Sequence, residues 1–247
     1  MRIITNHKLA KRNRQIANYL FLVTLVVLVA SFLLVNYPLI SGELPDTIIL
    51  LGQVLALPLA FIFTLASIRM TNLWARVPRP ENAIETGLKG LSKKSVLYNY
   101  HHFPARHILI CPQGIFVFVT RWHEGKFTVE GERWRSLANP ISRFFSSLRM
   151  DGIGNPTQDA MRAAQHTANL LAKYKPDVEV TPIIIFVDPR AQVELKDTPV
   201  PVLYADPKRK PNLIDTMREI SRSGDKKTAL PLSDEQIAQF EAETIRA

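Results

Sequence analysis

The chain has 247 residues, a formal net charge of +9 and a single cysteine, with 47% hydrophobic residues. One cysteine excludes a disulfide framework and fits a reducing compartment. No phosphate-binding glycine loop and no nucleophile with a neighbouring base is present, which removes the common nucleotide-binding and acyl-transfer classes.

The apolar content is unevenly spread. Residues 1–15 form a basic N-terminal segment containing Lys8, Lys11, Arg12 and Arg14. Residues 16–35 then carry no charge, and neither do residues 47–68. A bilayer core needs about 20 apolar helical residues, so both runs are long enough to span. Pro58 falls inside the second run, where a membrane helix tolerates it. A signal peptide is a poor reading of the first run, because the usual apolar core is about 7–15 residues and Asn36-Tyr37-Pro38 is no small-residue cleavage site. A buried helix hairpin of a soluble protein is the other reading of the two runs.

The flanks give a direction. The connection from Asn36 to Asp46 holds Glu43 and Asp46 and no Lys or Arg, while Arg69, Arg76 and Arg79 follow the second run. The positive-inside rule therefore predicts a transmembrane hairpin, an integral membrane protein with both termini and the main domain in the cytoplasm. Residues 69–80, with Pro78 and Pro80, read as a stiff linker. The rest forms one domain over 81–220 with an extension over 221–247. Beyond residue 68 the chain holds 26 Lys/Arg against 20 Asp/Glu, a mildly basic balance. It suits nucleic acid or an anionic leaflet, and equally an ordinary surface near acidic lipid.

Within the domain, Glu81 to Leu91 reads as a short helix with Ile84, Leu88 and Leu91 at helical spacing. Strands are predicted over 95–101, 107–111 and 115–120, the last two joined as a hairpin through Pro112-Gln113-Gly114. Lys126 to Glu130 is predicted as the next member of that meander, after a turn at Glu124-Gly125. Residues 136–155 read as an irregular basic insertion bearing Phe144 and Phe145. A helix follows from Asn155 to about Tyr174, with Met161, Ala164, Ala168 and Leu171 as its apolar stripe. The continuous run Val180 to Val187 predicts a central strand covered on both faces, and Pro201 to Ala205 a shorter one. A helix around Met217 to Ile220 and a terminal one capped by Ser233-x-x-Gln236 complete the pattern. The class is α/β, a mixed sheet flanked by helices behind a two-helix hairpin.

The run from Arg106 to Phe118, RHILICPQGIFVF, resembles the centre of the nuclease-related (NERD) domain family. The similarity continues through Gly125 to Gly131 and Trp134, through Asn155-Pro156-Thr157-Gln158, and into Ile183 to Phe186, so it covers roughly residues 81–190. That family belongs to the restriction-endonuclease-like PD-(D/E)xK superfamily, which implies an Asp and a Glu holding Mg²⁺ and a Lys activating water. Placed on this sequence, the Asp position falls on Arg106, the Glu on Val119 and the Lys on Arg121. The first-helix Glu falls on Glu85 and the family Gln on Gln158. Val119 cannot ligate a metal, and a guanidinium is never deprotonated in a protein. The resemblance therefore implies a degenerate site that has lost hydrolysis, with no metal and no small-molecule cofactor. Such a protein would bind nucleic acid or another phosphorylated partner through Arg106 and Arg121. An active Mg²⁺-dependent nuclease with relocated ligands is one alternative. A structural module packed on other membrane proteins is another.

Plainer readings stand beside these. Asn155, Pro156 and Gln158 also fit a helix cap, and Glu85 also fits a solvated helix face. Arg106 and Arg121 also fit strand ends paired with Glu124 or Glu130. His101, His102, His107 and His123 lack the spacing of an established metal site. Asp188 and Asp206 each precede Pro and fit turns, Asp188 being also the carboxylate best placed for a relocated ligand. Lys208-Arg209-Lys210 and Lys226-Lys227 read as solvated loop charges or as contacts to phosphate or lipid headgroups.

Overall fold

The computed structural model describes residues 1–42, 46–141, 144, 146, 152–223 and 230–246. Glu43, Phe145, Lys226 and Lys227, all singled out above, lie outside these. The chain divides into two compact units. One comprises residues 1–7, 78–143 and 153–247, and the other residues 8–77 and 144–152.

The second unit is built on two long helices, α1 (His7–Val35) and α3 (Thr47–Met70), with the short α2 (Tyr37–Ser41) between them. Both long helices are long and apolar enough to cross a membrane. Asp46 starts α3 by accepting the Ile49 N–H at 2.9 Å, a side-chain N-cap. Small residues mark the buried positions, namely Ala10, Ala17 and Thr24 on α1 and Ala56, Ala60 and Ser67 on α3. Their size lets the backbones approach closely enough for side-chain bonds between the helices. Thr24 donates to the Phe63 carbonyl at 3.2 Å, Ser31 to Ala56 at 3.3 Å and Gln53 to Leu34 at 2.9 Å. Large apolar side chains such as Phe21, Val26, Phe32, Leu57 and Ile62 stay exposed. A core helix of a soluble domain would bury such residues.

The other unit is a six-stranded mixed sheet with helices on both faces and a smaller three-stranded sheet beside it. Its strands are β1 (Arg2–Thr5), β2 (Val96–His102), β3 (Ala105–Cys111), β4 (Gly114–Arg121), β7 (Val180–Phe186) and β9 (Val202–Tyr204), in that order across the sheet. The small sheet is ordered β6 (Arg133–Ser136), β5 (Gly125–Glu130) and β8 (Ala191–Lys196). Helix α4 (Pro80–Gly87) precedes β2, α5 (Pro156–Leu171) precedes β7, and α6 (Leu213–Ser223) and α7 (Asp234–Arg246) end the chain.

The predicted hairpin forms around Pro112 and Gln113, with Cys111 opposite Gly114. β7 is buried on both faces, as its unbroken apolar run requires. Ile183 and Ile185 join Phe116, Phe118, Leu109, Ile84 and Leu213 on one face, while Ile184 and Phe186 meet Ala160 and Phe127 on the other. β7 pairs in parallel with β4, Ile115 opposite Val180 and Arg121 opposite Phe186.

That pairing corrects the placement of Lys126 to Glu130. β7 occupies the free edge of β4, so β5 cannot extend the meander and pairs instead with β6 and β8. The helix expected over 81–91 ends at Gly87, which sits against Leu213 so closely that an added Cβ would lie 2.9 Å from its Cδ2. In α5 the buried stripe is Ala160, Ala163, Ala164, Thr167 and Leu171; Met161 faces solvent. The terminal segment is no appendage, because Ile237 and Phe240 of α7 join the core with Tyr98.

The predicted cap of α7 is present in both directions. The Ser233 N–H donates to Gln236 Oε1 at 2.8 Å, and the Gln236 N–H donates to Ser233 Oγ at 3.2 Å. Ser233→Ala is expected to lower stability by about 1 kcal/mol, read from a denaturant titration. An unchanged midpoint would show that the cap contributes nothing.

Candidate functional site

The ends of β1, β2, β4, β7 and β9 and the start of β3 lie along one edge of the main sheet, because Thr5 is level with Asn99, His102 with Ala105, Arg121 with Phe186 and Phe186 with Tyr204. The three central residues of the resemblance are at this edge. Val119 and Arg121 are two apart on β4 and share a face. His107 pairs with Phe118, so Arg106 adjoins Val119 from the neighbouring strand on that same face. It is the face on which Ile108, Ile110 and Val117 pack with Ala163 of α5 and Phe240 of α7.

Arg121 is nearly buried there, its side chain 13% exposed. Its Nη2 pairs with Asp159 in the first turn of α5, and its Nη1 donates to the Thr120 carbonyl at 3.1 Å. Burial pulls the guanidinium below its ordinary value, Asp159 opposes this, and the charge of Arg106 adds to the depression. Arg106 is half-buried, its guanidinium carbon 5.8 Å from the centre of the Phe103 ring. Val119 is half-buried and packs against two parts of the core.

The remaining candidates divide. Gln158 is exposed beside Asp159, and its N–H is held by Asn155 Oδ1 at 3.1 Å, as the capping reading expects. Glu85 is exposed on α4, whose Ile84 packs against the opposite face of the sheet, so it does not join the arginines. From that helix it is Glu81 that reaches the sheet, accepting the Tyr100 hydroxyl at 2.6 Å.

The expected partners of Arg121 are corrected as well. Glu124 pairs with Arg190, and Glu130 lies in β5 between Arg133 and Lys196. Asp159 is 38 residues away in sequence, and its only local signal is an acid in a helix first turn. Asp188 is buried in its own turn, accepting the Arg190 N–H at 2.9 Å, Nε at 3.1 Å and Nη2 at 2.9 Å. Asp206 likewise accepts the Lys208 N–H at 2.9 Å.

The histidines do not converge. His102 Nε2 lies 2.7 Å from Thr244 Oγ1, His107 Nδ1 lies 2.8 Å from Asn99 Oδ1, and His123 stacks on Trp122. Burial holds His102 down to about 4 and His107 to about 3, and lowers His101 in the same direction. Among the described residues, no three His, Cys, Asp or Glu side chains come together to hold a metal ion. The Mg²⁺ that the resemblance implies does not fit the residues present. A hard cation wants oxygen ligands, and the Arg106, Val119 and Arg121 side chains offer none.

No protein-family model, no curated protein and no solved structure matches the chain. Function is therefore argued from its own geometry.

Proposed function

We propose that this is a membrane-anchored protein whose α/β unit faces the cytoplasm and binds a phosphate-bearing ligand, nucleic acid foremost, without hydrolysing it. Two arginines on one sheet face, Arg106 adjoining the strand that carries Arg121, carry the reading. A guanidinium offers paired donors that match a phosphate. Hydrolysis is not expected because the three central NERD-like positions, Arg106, Val119 and Arg121, hold no oxygen donor for a divalent cation.

Anchoring is supported by α1 and α3, and the sidedness by β1. β1 pairs in parallel with β2, so the residues before α1 and those after α3 belong to one fold and need one side of the bilayer. The Lys and Arg flanks then favour the cytoplasmic side.

The test uses the full chain in lipid nanodiscs and the anisotropy of a labelled oligonucleotide at stepped salt. Binding should weaken as salt rises and fall sharply in the Arg106→Ala, Arg121→Ala double variant. No binding, or binding indifferent to both substitutions, removes the proposal. A second variant probes the pair itself. Asp159 competes with any phosphate for Arg121, so Asp159→Asn should tighten binding by about threefold, the scale of a half-exposed ion pair. Weaker binding in that variant would mean that Asp159 positions Arg121 rather than competing for it.

A further inference from the structure

The chain leaves the α/β unit and returns to it at the same edge of the main sheet. β1 ends at Thr5, level with Asn99 near the end of β2, and the Asn6 N–H donates to the Asn99 carbonyl at 3.0 Å. α1 begins at His7. On the return, α4 starts at Pro80, and Glu81 in its first turn holds the Tyr100 hydroxyl. That edge carries the β2–β3 turn, the site arginines and the loop after β9.

The covalent reach is short. The uncharged run begins at residue 16, nine residues into a continuous helix that starts at His7. At about 1.5 Å per residue this is roughly 14 Å, about twice the headgroup layer of roughly 5–8 Å on each side of the hydrocarbon.

The charges at this edge sort into two groups. Arg121 is paired with Asp159, and Arg190 with Asp188 and Glu124. Arg209 donates to the Pro189 and Ala191 carbonyls, both at 2.7 Å, and lies over the Tyr204 ring. Those bonds fix the loop after β9. Arg79, Lys208 and Lys210, by contrast, are exposed and make no ion pair among the described residues. Phe103, at the tip of the β2–β3 turn, is 43% exposed. Exposed cations and an exposed apolar ring spread along one end of a sheet are what an anionic lipid surface recognises.

We infer that this edge docks on the anionic leaflet, with Lys208, Lys210 and Arg79 meeting lipid phosphates and Phe103 entering the interface. The inference rests on the membrane reading above and not on the nucleic-acid one.

The experiment uses the full chain in nanodiscs of phosphatidylcholine, alone or mixed with phosphatidylserine. A nitroxide, itself apolar, is attached at Phe103→Cys, and in a second protein at Lys93→Cys, which lies just before β2 at the far edge of the sheet. Cys111 is buried and should stay unlabelled. The label at 103 should be reached by oxygen and shielded from a water-soluble nickel chelate in the anionic discs, while the label at 93 stays aqueous. Lys208→Ala with Lys210→Ala should lower the ratio of shielded to aqueous label by roughly 25-fold, two cations at about fivefold each. A label at 103 as aqueous as that at 93 overturns the inference, and so does shielding indifferent to phosphatidylserine and to both lysines. If label 103 stays aqueous while an oligonucleotide still binds through Arg106, the edge serves nucleic acid and lipid docking is wrong. A chain that does not remain with the discs removes the anchor and this inference with it.

Discussion

Acid is expected to destabilise the α/β unit progressively below about pH 6.5, and His107→Gln is expected to remove much of that sensitivity. His107 is fully buried on β3, its Nδ1 bonded to Asn99 Oδ1, and its Nε2 meets no hydrogen-bond partner among the described residues. Asn99 in turn donates through Nδ2 to Thr5 Oγ1 at 3.1 Å. Burial, with the nearby charge of Arg106, holds the imidazole at about 3 against an ordinary 6.5. A group whose folded value is depressed binds its proton first in the unfolded chain. Stability is therefore full above about pH 6.5 and declines as pH falls toward 3. The loss across that window is on the order of 4 kcal/mol, a large share of a domain's stability. Glutamine keeps a donor for Asn99 and does not titrate. Denaturant midpoints from neutral pH to about pH 4 should therefore fall less steeply in the variant. His102 and His101 are depressed in the same direction, so some slope remains. A variant with the slope of the native chain would show that His107 is not the controlling group.

Deleting residues 2–5 should cost a comparable amount. β1 is only four residues long, yet it ties the unit together in three ways. It forms the parallel pairing with β2. It supplies Thr5 to the buried Asn99. It also brings Arg2 to Glu241 of α7, a carboxylate that accepts the Tyr98 hydroxyl at 3.1 Å. Leaving a buried amide unsatisfied costs about 1–3 kcal/mol by itself, so the deletion is expected to exceed roughly 3 kcal/mol. Hydrogen exchange on the full chain should show β2 and α7 opening first. Thr5→Val keeps the strand and removes only the hydroxyl, and should cost about 1–3 kcal/mol. If β2 and α7 exchange in the deletion as they do in the native chain, β1 is not part of the cooperative unit.

The sequence made the long periodic elements legible because each carries its own burial pattern. Val180 to Phe186 is almost wholly apolar, and α5 has its cap in Asn155, although of the stripe read from sequence only Ala164 and Leu171 are buried. β1 was hidden because four residues at the head of a basic segment give no period to read. β6 and β8, Arg133–Ser136 and Ala191–Lys196, are short and half polar, since only one face of the small sheet is covered. The sheet assignment of β5 depended on which strand takes the edge of β4, a contact some sixty residues distant. In the candidate site, the shared face of Val119 and Arg121 follows from the two-residue period of a strand. The Arg121–Asp159 pair does not, because nothing local distinguishes Asp159 from any acid at a helix start.

The place of β1 also sets when its sheet can close. Its partner strand is synthesised about 90 residues later, after both apolar helices. β1 must wait, unpaired, while the two helices between it and β2 emerge. Pairing across so long a stretch is slow to nucleate, and until it happens one edge of β2 is open to other chains. Closure of the sheet is thus a late event, reached only once β2 is available to β1.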